Sequence, residues 1–157
     1  MRDIFVEKHR ILLIDHNVHF RNMFRLFARH ANVIASTAPN GAEGLELLEK
    51  FKMDCIVADA DLPDLDIVEI KNTLAAMPVY ERNANTPIIA VTASDFTVRR
   101  MRRFYERGIK NYLLKTSFLS ELNDVADKLC GEVKVVDLPE TFPSPRIQHS
   151  LSVSYVN

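Results

Sequence analysis

The sequence predicts an α/β fold in which helices cover both faces of a central parallel sheet. Five short, continuously apolar runs recur along the chain, and a stretch with helical spacing follows each of them. Continuous hydrophobicity is typical of strands buried on both faces. Strict alternation of strand and helix implies right-handed crossovers between parallel strands. Five such units suit a doubly wound, flavodoxin-like (βα)5 sheet with strand order 2-1-3-4-5.

The elements follow from local patterns, taken in chain order. The predicted strands cover residues 11–14, 33–35, 55–58, 88–91 and 112–114. Asn17 and Asn40 are predicted N-caps, and Glu43 is placed to complete a capping box with Asn40. Each helical stretch gathers apolar residues on one face. The faces are Phe20, Phe24, Phe27 and Ala31; Leu45 and Leu48; Ile67, Ile70 and Leu74; Val98, Met101 and Tyr105; and Leu119, Leu122, Val125 and Leu129.

The alternation of strand and helix ends near Cys130, which predicts one domain over residues 1–130. The remaining segment, 131–157, contains three prolines and several serines. It is too short to fold as an independent output domain, and no DNA-binding domain is predicted. Residues 151–155 alternate like an edge strand. We therefore expect the segment either to be disordered or to dock on the domain.

Composition favours a cytoplasmic protein with no general attraction to polyanions. The 157 residues are 47% hydrophobic, enough for one sizeable core. A formal net charge of −1 means that a charge-driven partner needs a local patch. No signal peptide or membrane span is predicted. Cys55 and Cys130 lack the spacing of a metal site and are expected to be reduced.

Polar residues follow four of the five predicted strands. Asp15 and His16 follow the first strand, Asp59 the third, Thr92 the fourth and Lys115 the fifth. The carboxyl ends of parallel strands share one rim of the sheet, which is where ligands of such folds bind. Two adjacent carboxylates repel unless a cation lies between them, and Mg²⁺ suits oxygen ligands. Asp59 thereby becomes a plausible nucleophile toward phosphorus.

Four strings, ILLIDH, VADADLPDLD, PIIAVTAS and NYLLK, together with the intervening NGAEGLELL, resemble response-regulator receiver domains over roughly residues 9–130. The resemblance implies roles for the rim residues. Asp59 is the expected phosphoacceptor, and Thr92 and Lys115 are the expected phosphoryl contacts. The expected metal ligands are Asp15, Asp59 and the backbone of Asp61, and the expected switch aromatic is Tyr112. The Asp61 carboxylate could add to metal binding or hinder the incoming phosphodonor.

Three departures from the resemblance affect these expectations. His16 stands where the family has a second acidic residue, so Mg²⁺ binding should be weaker. His16 with His19 could instead favour a transition metal. Thr116 replaces the usual proline after Lys115, and a non-proline cis bond costs about 2.5–4 kcal/mol, so that peptide bond is expected to be trans. Ile67 stands where many receivers have glycine, which could alter the loop after Asp59.

The resemblance implies a phosphorylation-controlled signalling module rather than an enzyme. The expected donor is a histidine kinase or a phosphotransfer protein, and the expected output is contact with a downstream protein target. One alternative is a pseudo-receiver that binds a protein or nucleotide without phosphorylation. Another is a small-molecule enzyme on the same fold, although no glycine-rich phosphate loop is present.

The stretch after Thr92 carries an arginine-rich helical face. Five arginines fall within one arc at 100° per residue, opposite Val98, Met101, Phe104 and Tyr105. Such a face is often simply solvated. It could also dock an acidic partner, because arginine binds carboxylate and phosphate bidentately. Homodimerisation and cyclic di-GMP binding stay open as alternatives. The predicted patch consists of Arg99, Arg100, Arg102, Arg103 and Arg107.

Overall fold

The computed structural model of the chain describes residues 8–31, 33–94, 97–120 and residue 124. Five parallel strands form one sheet in the order β2-β1-β3-β4-β5, so the predicted strand order is confirmed. The strands are β1 His9–Ile14, β2 Val33–Ala38, β3 Cys55–Asp59, β4 Ile88–Thr92 and β5 Asn111–Leu114.

Within the described residues, five helices and one 3₁₀ helix accompany the strands. The helices are α1 Val18–Ala28, α2 Gly41–Lys50, α3 Ile67–Ala76, α4 Val98–Glu106 and α5 Lys115–Ser120, and the 3₁₀ helix is Pro78–Asn83. The predicted caps at Asn17 and Asn40 are confirmed, because each side chain accepts backbone N–H bonds from the first turn. The predicted capping box at Asn40 is only half formed. The reciprocal arrangement occurs instead at Asp66 and Glu69 of α3.

The core has two layers, one on each face of the sheet. Alternate residues of β1 feed opposite layers: Leu12 and Ile14 pack with α2, α3 and α4, and Ile11 and Leu13 pack with α1. Cys55 is buried in the second layer as a reduced thiol. Burial of continuous apolar strands on both faces is what the sequence pattern predicted.

Two residues predicted to lie on buried faces are exposed. Phe27 lies at the edge of the apolar stripe of α1, where Ala28 is buried instead. Val98 begins α4 ahead of the buried Met101. Helical periodicity gives the direction of a stripe, but its width depends on the neighbouring elements. The side chains predicted to face the core from Leu119 onward, Cys130 and the segment 131–157 lie outside the described residues.

Three strand ends determine how the site is built. Asp59 and Thr92 are the last residues of β3 and β4, one residue further than the sequence predicted. Lys115 begins α5 immediately after β5, and the Lys115–Thr116 bond is trans as expected. Within the described part of the chain, no helix is long and apolar enough to cross a membrane.

Candidate functional site

A buried cluster of charged groups lies at the carboxyl ends of β1, β3 and β5. Asp15 and Asp59 are almost fully buried, with Asp59 only 2% exposed. The Lys115 ammonium lies 2.7 Å from Asp15 Oδ2 and 3.2 Å from Asp59 Oδ2, so it bridges the two carboxylates. It also lies 5.0 Å from the centre of the Phe20 ring. The convergence predicted for these three strand ends is therefore present.

Backbone amides orient both carboxylates in the same way. Asn17 N–H donates to Asp15 Oδ1 at 2.8 Å, and Asp61 N–H donates to Asp59 Oδ1 at 2.9 Å. Each aspartate thus binds the amide two residues ahead, as in an Asx turn. The second oxygen of each carboxylate faces Lys115. Asp15 Oδ2 is buried, and its close partner is the Lys115 ammonium.

His16 joins the cluster from the solvent side. Its Nδ1 lies 3.2 Å from Asp59 Oδ2 and 4.0 Å from Asp15 Oδ1, while 55% of its side chain remains exposed. The sequence predicted that His16 would remove a carboxylate. It did not predict that the imidazole would contact the candidate acceptor. His19 is exposed and takes no part in this cluster.

Thr92 and Tyr112 are buried in β4 and β5, the two strands that follow β3 in the sheet. Thr92 is buried, and its Oγ1 accepts a 3.4 Å hydrogen bond from Ser94 N–H. Tyr112 is buried in the layer shared with α3 and α4, and burial raises the pKa of its hydroxyl above the usual range. Ile67 fills the same layer from the start of α3. Both predicted phosphoryl-responsive side chains therefore begin from buried positions.

The expectation that the five patch arginines face solvent holds for four of them and is corrected at Arg100, whose side chain is only 25% exposed. Arg100 turns toward the β3–α3 loop, donating to Ala60 O at 2.5 Å and Asp61 Oδ1 at 2.6 Å. Arg103 forms a 2.6 Å ion pair with Asp66. Asp61 and Asp66 are distant from α4 in the sequence, and folding brings them beside it. Arg103 nevertheless remains exposed, as are Arg99, Arg102 and Arg107.

The donor set fits a divalent cation. Ligand atoms of Asp15, His16 and Asp59 all lie within 4.8 Å of one another. Two carboxylates are hard oxygen ligands of the kind Mg²⁺ prefers, whereas the imidazole nitrogen is a softer ligand. A cation bound by Asp15 Oδ2 would share this oxygen with the Lys115 ammonium, which lies 2.7 Å from it. The Asp61 carboxylate is engaged by Arg100, and its backbone lies beside Asp59.

Comparisons with known proteins agree with this geometry. Residues 11–127 match the family model described as the response regulator receiver domain. The chain is 28% identical over 105 residues to the transcriptional regulatory protein SrrA of Staphylococcus aureus. That alignment covers 67% of this chain but only 41% of the relative, so the chain spans less than half of SrrA.

Two solved structures share the fold. One is the receiver domain of the sensor histidine kinase PA1611 of Pseudomonas aeruginosa, with magnesium in its active-site cleft (21% identity, TM-score 0.61, 78% of this chain and 98% of that chain). The other is the Saccharomyces cerevisiae Ssk1 receiver domain bound to the histidine phosphotransfer protein Ypd1 (22% identity, TM-score 0.66, 81% and 92%).

Proposed function

Because the chain belongs to the response-regulator receiver domain family, a family of regulatory modules in two-component signalling, we propose that it accepts a phosphoryl group on Asp59. The observation that carries the proposal is the arrangement around Asp59 Oδ2. This oxygen lies 3.2 Å from both the Lys115 ammonium and His16 Nδ1, while Oδ1 is held by a backbone amide. The backbone amide therefore orients Oδ1, and Oδ2 faces the two cationic or polar side chains at the rim of the sheet.

The proposed reaction is transfer from phosphohistidine to the carboxylate. An Asp59 oxygen attacks phosphorus, the P–N bond breaks, and the donor imidazole leaves and takes up a proton, giving an aspartyl phosphate. Hydrolysis reverses the state of Asp59: water attacks phosphorus, the acyl P–O bond breaks, and inorganic phosphate leaves. Lys115 lies where it can neutralise charge on the transferring phosphoryl oxygens. Mg²⁺ held by Asp15, Asp59 and the Asp61 backbone would stabilise the same charge.

The proposed switch involves the two buried side chains near the rim. The Thr92 hydroxyl would turn to the new phosphoryl group, and Tyr112 would follow into the space that Thr92 leaves. Both start buried at the end of β4 and in the neighbouring strand β5. Output would pass through protein contacts at α4, where Arg99, Arg102, Arg103 and Arg107 are exposed.

The proposed partners and setting follow from the family. A histidine kinase or a phosphotransfer protein would donate the phosphoryl group in the cytoplasm, and a downstream protein or a second copy of the chain would receive the signal. The Ssk1 receiver bound to Ypd1 supports the first of these contacts. The curated relatives are longer than the aligned region, so the wider output of this protein is itself a proposal.

The test is labelling with a small phosphodonor. We expect phosphoramidate with Mg²⁺ to add the mass of one phosphoryl group to the wild-type protein, and Asp59→Asn to abolish the addition. Glu46→Gln is the matched control, because it neutralises an exposed carboxylate of α2 that takes no part in the rim cluster and should leave labelling intact. Labelling of Asp59→Asn would refute Asp59 as the acceptor.

A second candidate is a pseudo-receiver that binds a protein or nucleotide without phosphorylation. His16 favours it, since an imidazole rather than a third carboxylate lies beside Asp59. Absence of labelling of the wild-type protein by any donor would support this alternative. Cyclic di-GMP is the nucleotide to titrate, although Arg100 and Arg103 are engaged by acids of the same chain.

A further inference from the structure

One peptide group connects helix α4 to the candidate phosphoacceptor. The peptide between Ala60 and Asp61 presents its N–H to Asp59 Oδ1 at 2.9 Å. Its carbonyl, on the opposite side, accepts a hydrogen bond of 2.5 Å from Arg100. The two bonds share one rigid planar unit, so the position of the carbonyl determines the position of the N–H.

Arg100 fixes this peptide with two contacts from a single nitrogen. Its Nη2 donates both to Ala60 O and, at 2.6 Å, to Asp61 Oδ1. Ala60 N–H donates to Val91 O at 2.7 Å, which ties the preceding peptide to β4. The guanidinium is only partly accessible, with 25% of the side chain exposed, and it lies 5.9 Å from the Phe104 ring centre.

A charged donor on the carbonyl also strengthens the N–H as a donor. Hydrogen bonds in series polarise one another, and bonds to charged groups are stronger than neutral ones. The guanidinium therefore acts on Asp59 without touching it. It holds Oδ1 against the amide and leaves Oδ2 turned toward Lys115.

We propose that Arg100 is a positioning residue for the phosphoacceptor, acting through the Ala60–Asp61 peptide. The inference rests on the proposed role of Asp59 and adds a route from that residue to α4. Rotation of the Asp59 carboxylate would pull on the peptide and, through it, on Arg100. The exposed arginine face of α4 is thereby joined to the state of the acceptor by two consecutive hydrogen bonds.

A second ion pair between α4 and the β3–α3 loop serves as a matched control for Arg100. Arg103 lies one turn further along α4 and pairs with Asp66 at the same distance of 2.6 Å. That pair joins the same two segments but involves no peptide bonded to Asp59. A role limited to holding α4 against the loop would make Arg100→Ala and Arg103→Ala equivalent.

The first measurement is amide hydrogen exchange of Asp61 by NMR in the unphosphorylated protein. We expect Arg100→Ala to accelerate this exchange by about tenfold, because a bond between a charged donor and the peptide is lost. Arg103→Ala should leave the Asp61 amide close to wild type. Arg100→Lys should fall between them, since an ammonium reaches the carbonyl without the planar geometry of a guanidinium. Circular dichroism is measured for each variant to check that it is folded.

The second measurement is the phosphorylation rate with saturating phosphoramidate and Mg²⁺. We expect Arg100→Ala to lower the maximal rate several-fold with little change in the half-saturating donor concentration. Unchanged Asp61 exchange in Arg100→Ala, or equal acceleration in Arg103→Ala, would overturn the positioning role. Exchange does not require phosphorylation. A wild-type protein that is never labelled but shows the expected exchange pattern would therefore refute the proposed function and retain the positioning role.

Discussion

Replacing Lys115 with methionine tests whether one ammonium holds the two buried carboxylates in place. Lys115 contacts Asp15 and Asp59 at 2.7 Å and 3.2 Å. Methionine keeps much of the apolar stem but removes the charge. Two nearly inaccessible carboxylates would then face each other without a compensating cation, apart from any contribution of His16 at the solvent side.

The expected loss of stability is large. With an effective dielectric constant of about 20, each attraction amounts to about 5–6 kcal/mol before desolvation is counted. Desolvation of the ions offsets much of this, and breaking a buried ion pair typically costs about 3–5 kcal/mol. We expect the lower part of that range, because 13% of the Lys115 side chain remains exposed to water. The loss is a substantial fraction of the roughly 5–15 kcal/mol that stabilises a typical domain.

Urea unfolding followed by circular dichroism in EDTA measures the effect. Lys50→Met is the control, since Lys50 is exposed at the end of α2 and should change stability by less than about 0.5 kcal/mol. In an Asp59→Asn background, Lys115→Met should cost less than half as much, because one of the two like charges is already gone. A loss below about 1 kcal/mol, as for a surface pair, would refute the bridging role. So would an unchanged loss in the Asp59→Asn background.

Three further outcomes are expected. His16→Asp should tighten Mg²⁺ binding, measured by calorimetry, because an oxygen ligand and a charge are gained; equal affinities for wild type and His16→Asp, or the same gain in the exposed control His19→Asp, would contradict this. Asn83→Ala should lower the urea unfolding free energy by about 2 kcal/mol or more, because the buried amide makes four hydrogen bonds; the exposed control Asn85→Ala should be near neutral, and equal losses would argue against the network. Burial raises the pKa of Tyr112, so the wild-type protein should lose stability as pH rises above about 10, where the unfolded tyrosine ionises; Tyr112→Phe should abolish that loss, and identical pH profiles would exclude Tyr112 as its source.

The strand order and the central acids were predictable because their signals are local. Five apolar runs separated by helical spacing permit few topologies, and a parallel sheet brings its carboxyl ends to one rim. Asp15, Asp59 and Lys115 follow directly from that placement. Each lies at or beside the end of a strand, where the direction of the backbone already brings the side chains together.

Hydrophobic periodicity did not predict which residues at the edges of a helix face are buried, nor which partners the long side chains contact. The sequence predicted buried faces that included Phe27 and Val98, because periodicity identifies a stripe without its width. It placed Arg100 on a solvent-facing arc and did not predict the ion pair of the exposed Arg103, because a helical wheel contains no neighbouring loop. Arg100 pairs with Asp61, 39 residues away along the chain, and Arg103 pairs with Asp66, 37 residues away.

The sequence by itself therefore determined the fold, the family resemblance and the identity of the acidic residues at the rim, since hydrophobic period and strand ends are properties of short segments. Only the tertiary structure decided that His16 approaches Asp59, that Lys115 bridges both carboxylates and that Arg100 binds the Ala60–Asp61 peptide. Long polar side chains reach several partners from one backbone position. Which partner they take depends on the packing of segments distant in sequence.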